Sequence, residues 1–436
     1  MRVFFTNLGC KLNQAENERL ARGVLAAGHH LAPSLAEADL HVVNTCTVTV
    51  TAARTSRKAA RAATRAAPGR AIRTVLTGCY ATAAPEEAAR LAGVDLVVPN
   101  GDKERLLDLA GLAVTEAPAG APVPHLPSGN TRALLKVEDG CDMRCAFCII
   151  PATRGRQRSR PLPELVEEMR GLVAAGYREI VVTGVQISAY RAARGPAAVG
   201  APDLRLADLV RALLAALPAH GEPPVSPAAR LRLTSIAPWE LDDRLLDLWS
   251  DRRLCRHLHL SLQSGSTATL RRMRRPYTAE RYGRLLERLR AAVPGVAVTT
   301  DVIVGFPGET AAEFEDSLAT VGALGFAKVH VFPFSPRPGT AAAALPGEVP
   351  ARERQRRMAR MIAAAERAER EFHAAHLGQR ATVLWERPRD GRAQGLTDNY
   401  IRVFALPGDL PATPRNRFSQ VALVALADGG MVGRIL

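Results

Sequence analysis

Gly140-Cys141-Asp142-Met143-Arg144-Cys145-Ala146-Phe147-Cys148 is the stretch from which the rest of this 436-residue chain can be read. Its C-x-x-x-C-x-x-C spacing puts Cys141, Cys145 and Cys148 on one compact loop after an apolar run, and Gly140 permits the close backbone approach such a loop needs. Three thiolates so placed can reach three corners of a [4Fe–4S] cube. Zinc is the rival occupant, but a structural zinc takes four closed ligands, and no neighbouring fourth Cys or His completes the set. A cube held by three cysteines leaves one iron open to a small molecule, which reads as catalytic iron.

A second trio lies to the amino-terminal side. Cys10, Cys46 and Cys79 each close an apolar run, FFTNLGC, LHVVNTC and IRTVLTGC. The first hundred residues alternate buried-strand runs (3–8, 40–44, 73–77 and 96–99) with helical stretches (13–27, 52–66 and 85–91). That alternation implies an α/β, doubly wound parallel sheet. Ligands collect at the carboxyl ends of such strands, where all three cysteines fall, so the spacing predicts one shared site and a second cluster.

Residues 117–130 are rich in Pro, Gly and Ala and read as a linker between a domain over 1–116 and one over 131–377. The second domain shows candidate strands 133–137, 179–183, 230–234, 257–262, 297–304 and 328–333. Helices over 163–175, 206–217, 242–249, 279–292 and 311–324 intervene. Six β/α units predict a partial or complete (β/α) barrel with its chemistry at the strand carboxyl ends. An Arg-rich amphipathic segment follows, its basic part over 352–370 reading as a solvated face able to steer RNA. Residues 378–436 change texture to short β runs with Gly, Pro and Asn between them, the pattern of a small all-β barrel. Its loop 406–417 is Pro-rich and blurs the strand pattern, and no site residue is assigned within the barrel.

The cysteine loop, with its aromatic Phe147, resembles the radical S-adenosylmethionine superfamily. The resemblance implies that the open iron chelates S-adenosylmethionine and that one electron cleaves the sulfonium to methionine and a 5′-deoxyadenosyl radical. It also implies cofactor contacts at Phe147, at Thr183, Gly184 and Val185, at Ser261 and Gln263 in Ser261-Leu262-Gln263-Ser264-Gly265, and at Val304 and Gly305 in the run from Asp301 to Glu309. Taken alone, each later motif is also an ordinary Gly-rich strand end.

The three parts together, over essentially the whole chain, resemble the methylthiotransferases. That family implies an auxiliary [4Fe–4S] cluster on Cys10, Cys46 and Cys79 and a TRAM-like carboxyl-terminal barrel that contacts RNA. The implied reaction replaces C–H by C–S–CH3 and consumes two equivalents of S-adenosylmethionine. Gly9-Cys10-Lys11-Leu12-Asn13-Gln14, Asn44-Thr45-Cys46-Thr47-Val48-Thr49, Thr77-Gly78-Cys79-Tyr80-Ala81 and the run Cys148 to Arg156 look most like the branch acting on N6-threonylcarbamoyladenosine. The ribosomal-protein branch shows Pro-Lys after the first cysteine and the isopentenyladenosine branch Gln-Met, where this chain has Lys11-Leu12. The expected activity is therefore methylthiolation at C2 of that nucleoside at position 37, beside the anticodon. The expected partners are a tRNA anticodon stem-loop, an electron donor of flavodoxin or ferredoxin type and a sulfur donor. The alternatives are isopentenyladenosine in tRNA, a ribosomal-protein aspartate, or a non-catalytic RNA-binding iron–sulfur protein.

The remaining features fit this frame. The formal charge of +15 favours a polyanionic partner, although the basic residues are nearly all Arg and Ala is abundant, as a GC-rich genome produces. Arg154, Arg156, Arg158 and Arg160 alternate after the cluster loop and, on an extended chain, would face one side toward phosphates or a substrate carboxylate. The plainer reading is a solvated loop or pairs that brace the barrel mouth. Cys255 reads as a buried small hydrophobe. His257 and His259 share one face of a strand, more in keeping with a barrel interior than with a metal. No apolar run is long enough to span a bilayer, and seven cysteines without an export signal point to the reducing cytoplasm.

Overall fold

The computed structural model describes all residues except 67–69, 113–125, 127–129, 194–202, 219–227, 407 and 409–414. Most of the expected linker 117–130 and of the loop 406–417 lies outside the described residues.

The amino-terminal sheet contains β1 (Arg2–Asn7), β2 (His30–Leu31), β3 (Leu40–Thr45), β4 (Arg73–Gly78) and β5 (Leu96–Val98), in the order β2-β1-β3-β4-β5. Every pairing is parallel. Alternate residues bury into separate cores: Val42 and Val75 on one face, Val43 and Leu76 on the other. Both faces are therefore covered, which is why these strands read as unbroken apolar runs. β2 has no signature in the sequence because two residues carry no period. The single helix expected over 52–66 is two, Val50–Ala60 and Ala62–Ala66. The segment 242–249 likewise splits into a short α-helix, Asp243–Leu246, and a 3₁₀ turn, Asp247–Ser250.

The central sheet is an open six-step parallel array. β6 (Arg132–Lys136), β9 (Glu179–Thr183) and β10 (Arg230–Leu233) form one half, and β11 (Ser235–Ile236), β12 (His257–Leu260), β13 (Ala297–Val304) and β14 (Lys328–Pro333) the other. β10 and β11 are one stretch of chain interrupted at Thr234, whose hydroxyl turns back to donate to the Val182 carbonyl at 2.9 Å. A small antiparallel ribbon, β7 (Glu138–Asp139) with β8 (Arg158–Ser159), brackets the cysteine loop. β6 and β14 do not pair with each other among the described residues, so the barrel is partial.

Side chains alternate across this sheet with period two. Leu135, Ile180, Val182, Leu231, Leu258 and Val302 face outward under the helices. The inner face is polar: Arg132, Glu179 and Arg230 share one level, and Asp301 lies beside His330. Part of this inner face is covered by the first helix, Lys11–Ala26, whose Ala15 packs on Leu134 and Val181.

The carboxyl-terminal strands β15 (Arg380–Trp385), β16 (Gln394–Thr397), β17 (Arg402–Ala405), β18 (Phe418–Ala427) and β19 (Gly430–Ile435) close into a five-stranded barrel. It docks on the amino ends of the central strands. Glu179 binds both Arg230 and Arg232 at 2.6 and 2.7 Å. The two guanidiniums donate onward to the carbonyls of Leu396, Thr397 and Asp398. Tyr400 stacks on His257 at 4.2 Å.

Candidate active site

The cysteine loop is held by its own backbone. Gly140 has φ +75°, and a Cβ there would collide with the Arg156 carbonyl. The Cys141 amide donates to Gly155 O at 3.1 Å and the Cys148 amide to Cys145 O at 3.2 Å. Cys141, Cys145 and Cys148 line one cavity with Phe147, Val185, Gln186, Trp239, Ser261, Gln263 and Arg275. Arg275 approaches the Cys145 sulfur at 3.3 Å. Burial pushes the Cys148 thiol up to about 12 and raises Cys141 as well. None of the seven cysteines forms a disulfide. Buried thiols aimed into one cavity are costly as bare thiolates and are relieved by a bound metal cluster, so this donor set fits a cube.

The second trio assembles at the rim of the amino-terminal sheet. Cys10, Cys46 and Cys79 follow β1, β3 and β4, three neighbouring strands whose ends are level through the pairs Asn7–Asn44 and Asn44–Thr77. Gly9, at φ +97°, brings the Cys10 turn so close to Cys46 that a Cβ would sit 2.8 Å from its sulfur. Cys46 and Cys79 are buried and Cys10 is exposed. Burial raises the Cys46 thiol, with the neighbouring Cys79 and Cys10 adding to the effect. Among the described residues no three His, Cys, Asp or Glu side chains converge tightly enough to clasp a single metal ion.

The two trios are tied together. Arg154, on the cysteine-loop side, is buried and donates to Glu16 and Asp139 at 2.9 Å and to Asn13 at 2.5 Å. Lys103 and Lys136 also reach Glu16, at 2.5 and 2.9 Å. Burial alone would raise the Glu16 carboxyl, but the three cations hold it well below its usual range. Asn13 and Asn100 lie 3.9 Å from the Cys10 and Cys79 sulfurs, and Asn100 also donates to Thr153 O at 2.8 Å. On the far side, Arg337 donates to Thr47 at 2.7 Å and the Val50 amide to Ser335 at 3.2 Å, joining the segment after β14 to the loop after Cys46. The two strand-end rims therefore face each other.

The four arginines expected to form one comb do not. The helix Ile150–Arg154 and Gly155 at φ +75° break the extended phase that the alternation assumes. Arg154 is buried in the ion network, Arg156 is exposed beside Asp142, Arg158 is exposed on β8, and Arg160 is bound to Glu168 at 2.7 Å. Of the expected cofactor contacts, Phe147, Val185, Ser261 and Gln263 line the cavity. Thr183 is buried, and Gly184 leaves room only for the Glu138 carboxylate. Val304 is in the outer core, and Gly305 lies against Arg354, one residue before Phe306, whose ring meets Phe147 edge-on at 6.5 Å. Gln186, Trp239, Arg275 and Glu138 join the site without having been expected there. Gln186 follows directly on a quoted motif and was within reach, whereas Arg275 is one of several arginines in RRMRRP that spacing alone cannot sort.

Glu138 accepts from the Gln186 amide at 2.6 Å, yet burial raises its carboxyl to about 7. The folded chain thus keeps this proton to near pH 7, while the unfolded chain releases it near its ordinary 4.5. Its contribution to stability is complete below about 4.5 and is lost as the pH rises through about 7. Urea unfolding of the metal-free protein from pH 5 to 8 should show wild type losing a few kcal/mol relative to Glu138→Gln. Parallel curves for the two would remove the assignment.

A cationic groove lies on the same amino-terminal sheet. Arg54, Thr55, Arg57, Lys58, Arg61 and Arg65 line it, along the helices that follow Cys46. By contrast, Arg356, Arg357 and Arg360 of the Arg-rich helix Ala351–Ala374 are bound to Glu353, Glu309 and Glu315. Cys255 is fully buried, and His257 and His259 both reach Thr299, which puts them on one inward face. No helix among the described residues is long and apolar enough to cross a membrane.

Comparison with known proteins bears on this geometry. Residues 135–321 match the family model described as the radical SAM superfamily, and residues 2–99 match the one described as uncharacterized protein family UPF0004. The threonylcarbamoyladenosine tRNA methylthiotransferase MtaB of Bacillus subtilis is 35% identical over 422 residues, covering 92% of this chain and 89% of that protein. The tRNA-2-methylthio-N(6)-dimethylallyladenosine synthase of Erythrobacter litoralis is 35% identical over 446 residues, covering 99% and 96%. Among solved structures, the radical S-adenosylmethionine methyltransferase TsrM of Kitasatospora setae, with cobalamin and a [4Fe-4S] cluster bound, aligns with a TM-score of 0.53 at 17% identity. That alignment covers 79% of this chain and 77% of that one, a likeness of fold.

Proposed function

The chain belongs to the tRNA methylthiotransferases of the radical S-adenosylmethionine superfamily, and on that premise we propose that its substrate is N6-threonylcarbamoyladenosine at position 37 of tRNA, methylthiolated at C2. One observation carries the methylthiotransferase chemistry common to both substrate types: two cysteine trios on separate sheets, joined by one buried ion network, with their strand-end rims facing each other. When bound, a cube with S-adenosylmethionine supplies one-electron cleavage of the sulfonium, and an auxiliary cube supplies an iron that holds a sulfur species.

The chain's own residues supply the rest. Cys141, Cys145 and Cys148 hold the first cube, and Cys10, Cys46 and Cys79 the second. Val185, Ser261, Gln263 and Phe147 wall the cofactor cavity, and Arg275 places a fixed positive charge beside Cys145. Arg154 acts at a distance from the substrate, fixing one trio against the other. The groove of Arg54, Lys58, Arg61 and Arg65 meets phosphates of the anticodon stem-loop. An electron donor of flavodoxin or ferredoxin type and a sulfur donor complete the reaction, in the cytoplasm where tRNA is found.

Relatives of both substrate types stand at similar identity, so the preference for the threonylcarbamoyl substrate rests on the local sequence likeness around the cysteines and on the polar inner face of the central sheet. Mass spectrometry of tRNA nucleosides from cells with and without the gene tests it. We expect 2-methylthio-N6-threonylcarbamoyladenosine to disappear and its unthiolated precursor to accumulate. Loss of the isopentenyl counterpart instead, or no change in any methylthio nucleoside, would overturn the substrate.

A further inference from the structure

We propose that Lys11, with His330 across the cleft, forms a carboxylate-binding site that selects the threonylcarbamoyl substrate. This rests on the substrate reading above. The open edge of the central sheet is where a nucleoside can enter. At β14 the inward-facing side chains His330 and Phe332 are exposed, and among the described residues no further strand pairs beyond β14. Phe332 pairs across the sheet with Ile303, which packs against the cysteine-loop cluster containing Phe147. An exposed aromatic there is a stacking platform for a base. His330 lies two residues further into the cleft, beside His259 at 6.1 Å between ring centres.

Lys11 enters from the other wall. It is the residue after Cys10 and the first of the helix Lys11–Ala26. It is exposed, and its ammonium lies 5.8 Å from the Tyr400 ring. Among the described residues it has no carboxylate partner. A row of rings joins it to His330: Tyr400 stacks on His257 at 4.2 Å, His257 and His259 share the Thr299 hydroxyl, and His259 adjoins His330. Asp301, beside His330, is held by His259 at 3.2 Å. Lys328 is held by Glu369 at 3.2 Å. Arg132 and Glu386, which line the same cavity as Lys11, hold each other at 3.0 Å, so Lys11 and the exposed Arg387 are the cations left open to a ligand there, with His330 as an uncharged hydrogen-bonding partner. A carboxylate suits them, whereas a dimethylallyl group would leave an ammonium desolvated with nothing to bind.

The test uses the full-length, cluster-loaded enzyme and two anticodon stem-loop RNAs, one carrying N6-threonylcarbamoyladenosine and the other its threonyl methyl ester. Lys11→Met should lower kcat/KM on the acid roughly 10- to 100-fold, mainly through KM. On the ester, wild type and Lys11→Met should be alike, and Lys11→Arg should restore most activity on the acid. Iron content and the auxiliary-cluster spectrum should match wild type, since the side chain leaves the cysteines untouched. Equal losses on acid and ester, or no loss on either, would overturn the site. A wild-type enzyme that thiolates isopentenyladenosine RNA and ignores the acid would instead remove the substrate reading, and the carboxylate site with it. His330→Asn is the second variant, expected to show the same acid-only defect should Lys11→Met lose iron.

Discussion

Replacing Cys46 with Ala is expected to abolish methylthio product while leaving 5′-deoxyadenosine formation intact, and replacing Cys145 with Ala is expected to abolish both. The two residues sit on different scaffolds. Cys145 lines the cavity with Phe147, Ser261 and Gln263, so its loss removes a cube corner where S-adenosylmethionine would bind. Cys46 follows β3 of the amino-terminal sheet, held by Ser56 through its own amide and carbonyl at 3.0 and 2.8 Å. Neither contact reaches the cofactor cavity, and both are backbone bonds that Ala retains. The variant should therefore fold, and its iron should fall from about eight to about four per chain with matching loss of acid-labile sulfide. Product from Cys46→Ala would end the auxiliary-cluster role. 5′-Deoxyadenosine from Cys145→Ala would end the assignment of the tight trio. Zinc in place of iron in the wild-type protein would overturn both.

The second large effect concerns Glu16. Three cations, Lys103, Lys136 and Arg154, meet two carboxylates, Glu16 and Asp139, in one mostly buried set. Glu16 is the member that all three cations touch. Glu16→Gln would leave three positive charges facing one carboxylate. Breaking a buried pair from one side typically costs about 3–5 kcal/mol, because the remaining charge is stranded. We expect a loss of that order in denaturant unfolding, accompanied by protease sensitivity in the amino-terminal sheet. Arg154→Met leaves two cations with two carboxylates and should cost clearly less. The reverse order, or a Glu16→Gln variant within about 1 kcal/mol of wild type, would show that this network carries little of the docking energy.

The sequence is most legible where one residue type is bound to one chemistry. The six cysteines announce themselves by spacing, and the β/α alternation alone puts three of them on one rim. The partial barrel and the small carboxyl-terminal barrel are legible for the same reason, since apolar period and turn residues survive without knowledge of neighbours. Arginines are not legible. Arg154 and Arg156 are two residues apart, yet one is buried against Glu16 and the other fully in solvent. What separates them is Glu16, 138 residues upstream, together with a left-handed glycine between them, and neither can be weighed from local spacing. Glu138 is illegible because its environment is made by the missing side chain of Gly184 on another strand. Arg230 and Arg232 alternate as plainly as His257 and His259 do, but only the docked carboxyl-terminal barrel gives that face a meaning.

That docking limits how far the protein can be treated as interchangeable parts. Arg230 and Arg232 spend their guanidiniums on the backbone carbonyls of Leu396, Thr397 and Asp398. Any polypeptide that brought different carbonyl geometry to the same place would strand two buried arginines beneath the catalytic sheet. A carboxyl-terminal barrel borrowed from a relative can therefore be exchanged only together with the strands it stands on, and a shortened enzyme ending before Arg380 should be an insoluble one rather than a slower one. The identity of the small barrel and the stability of the central sheet are in this chain a single inherited trait.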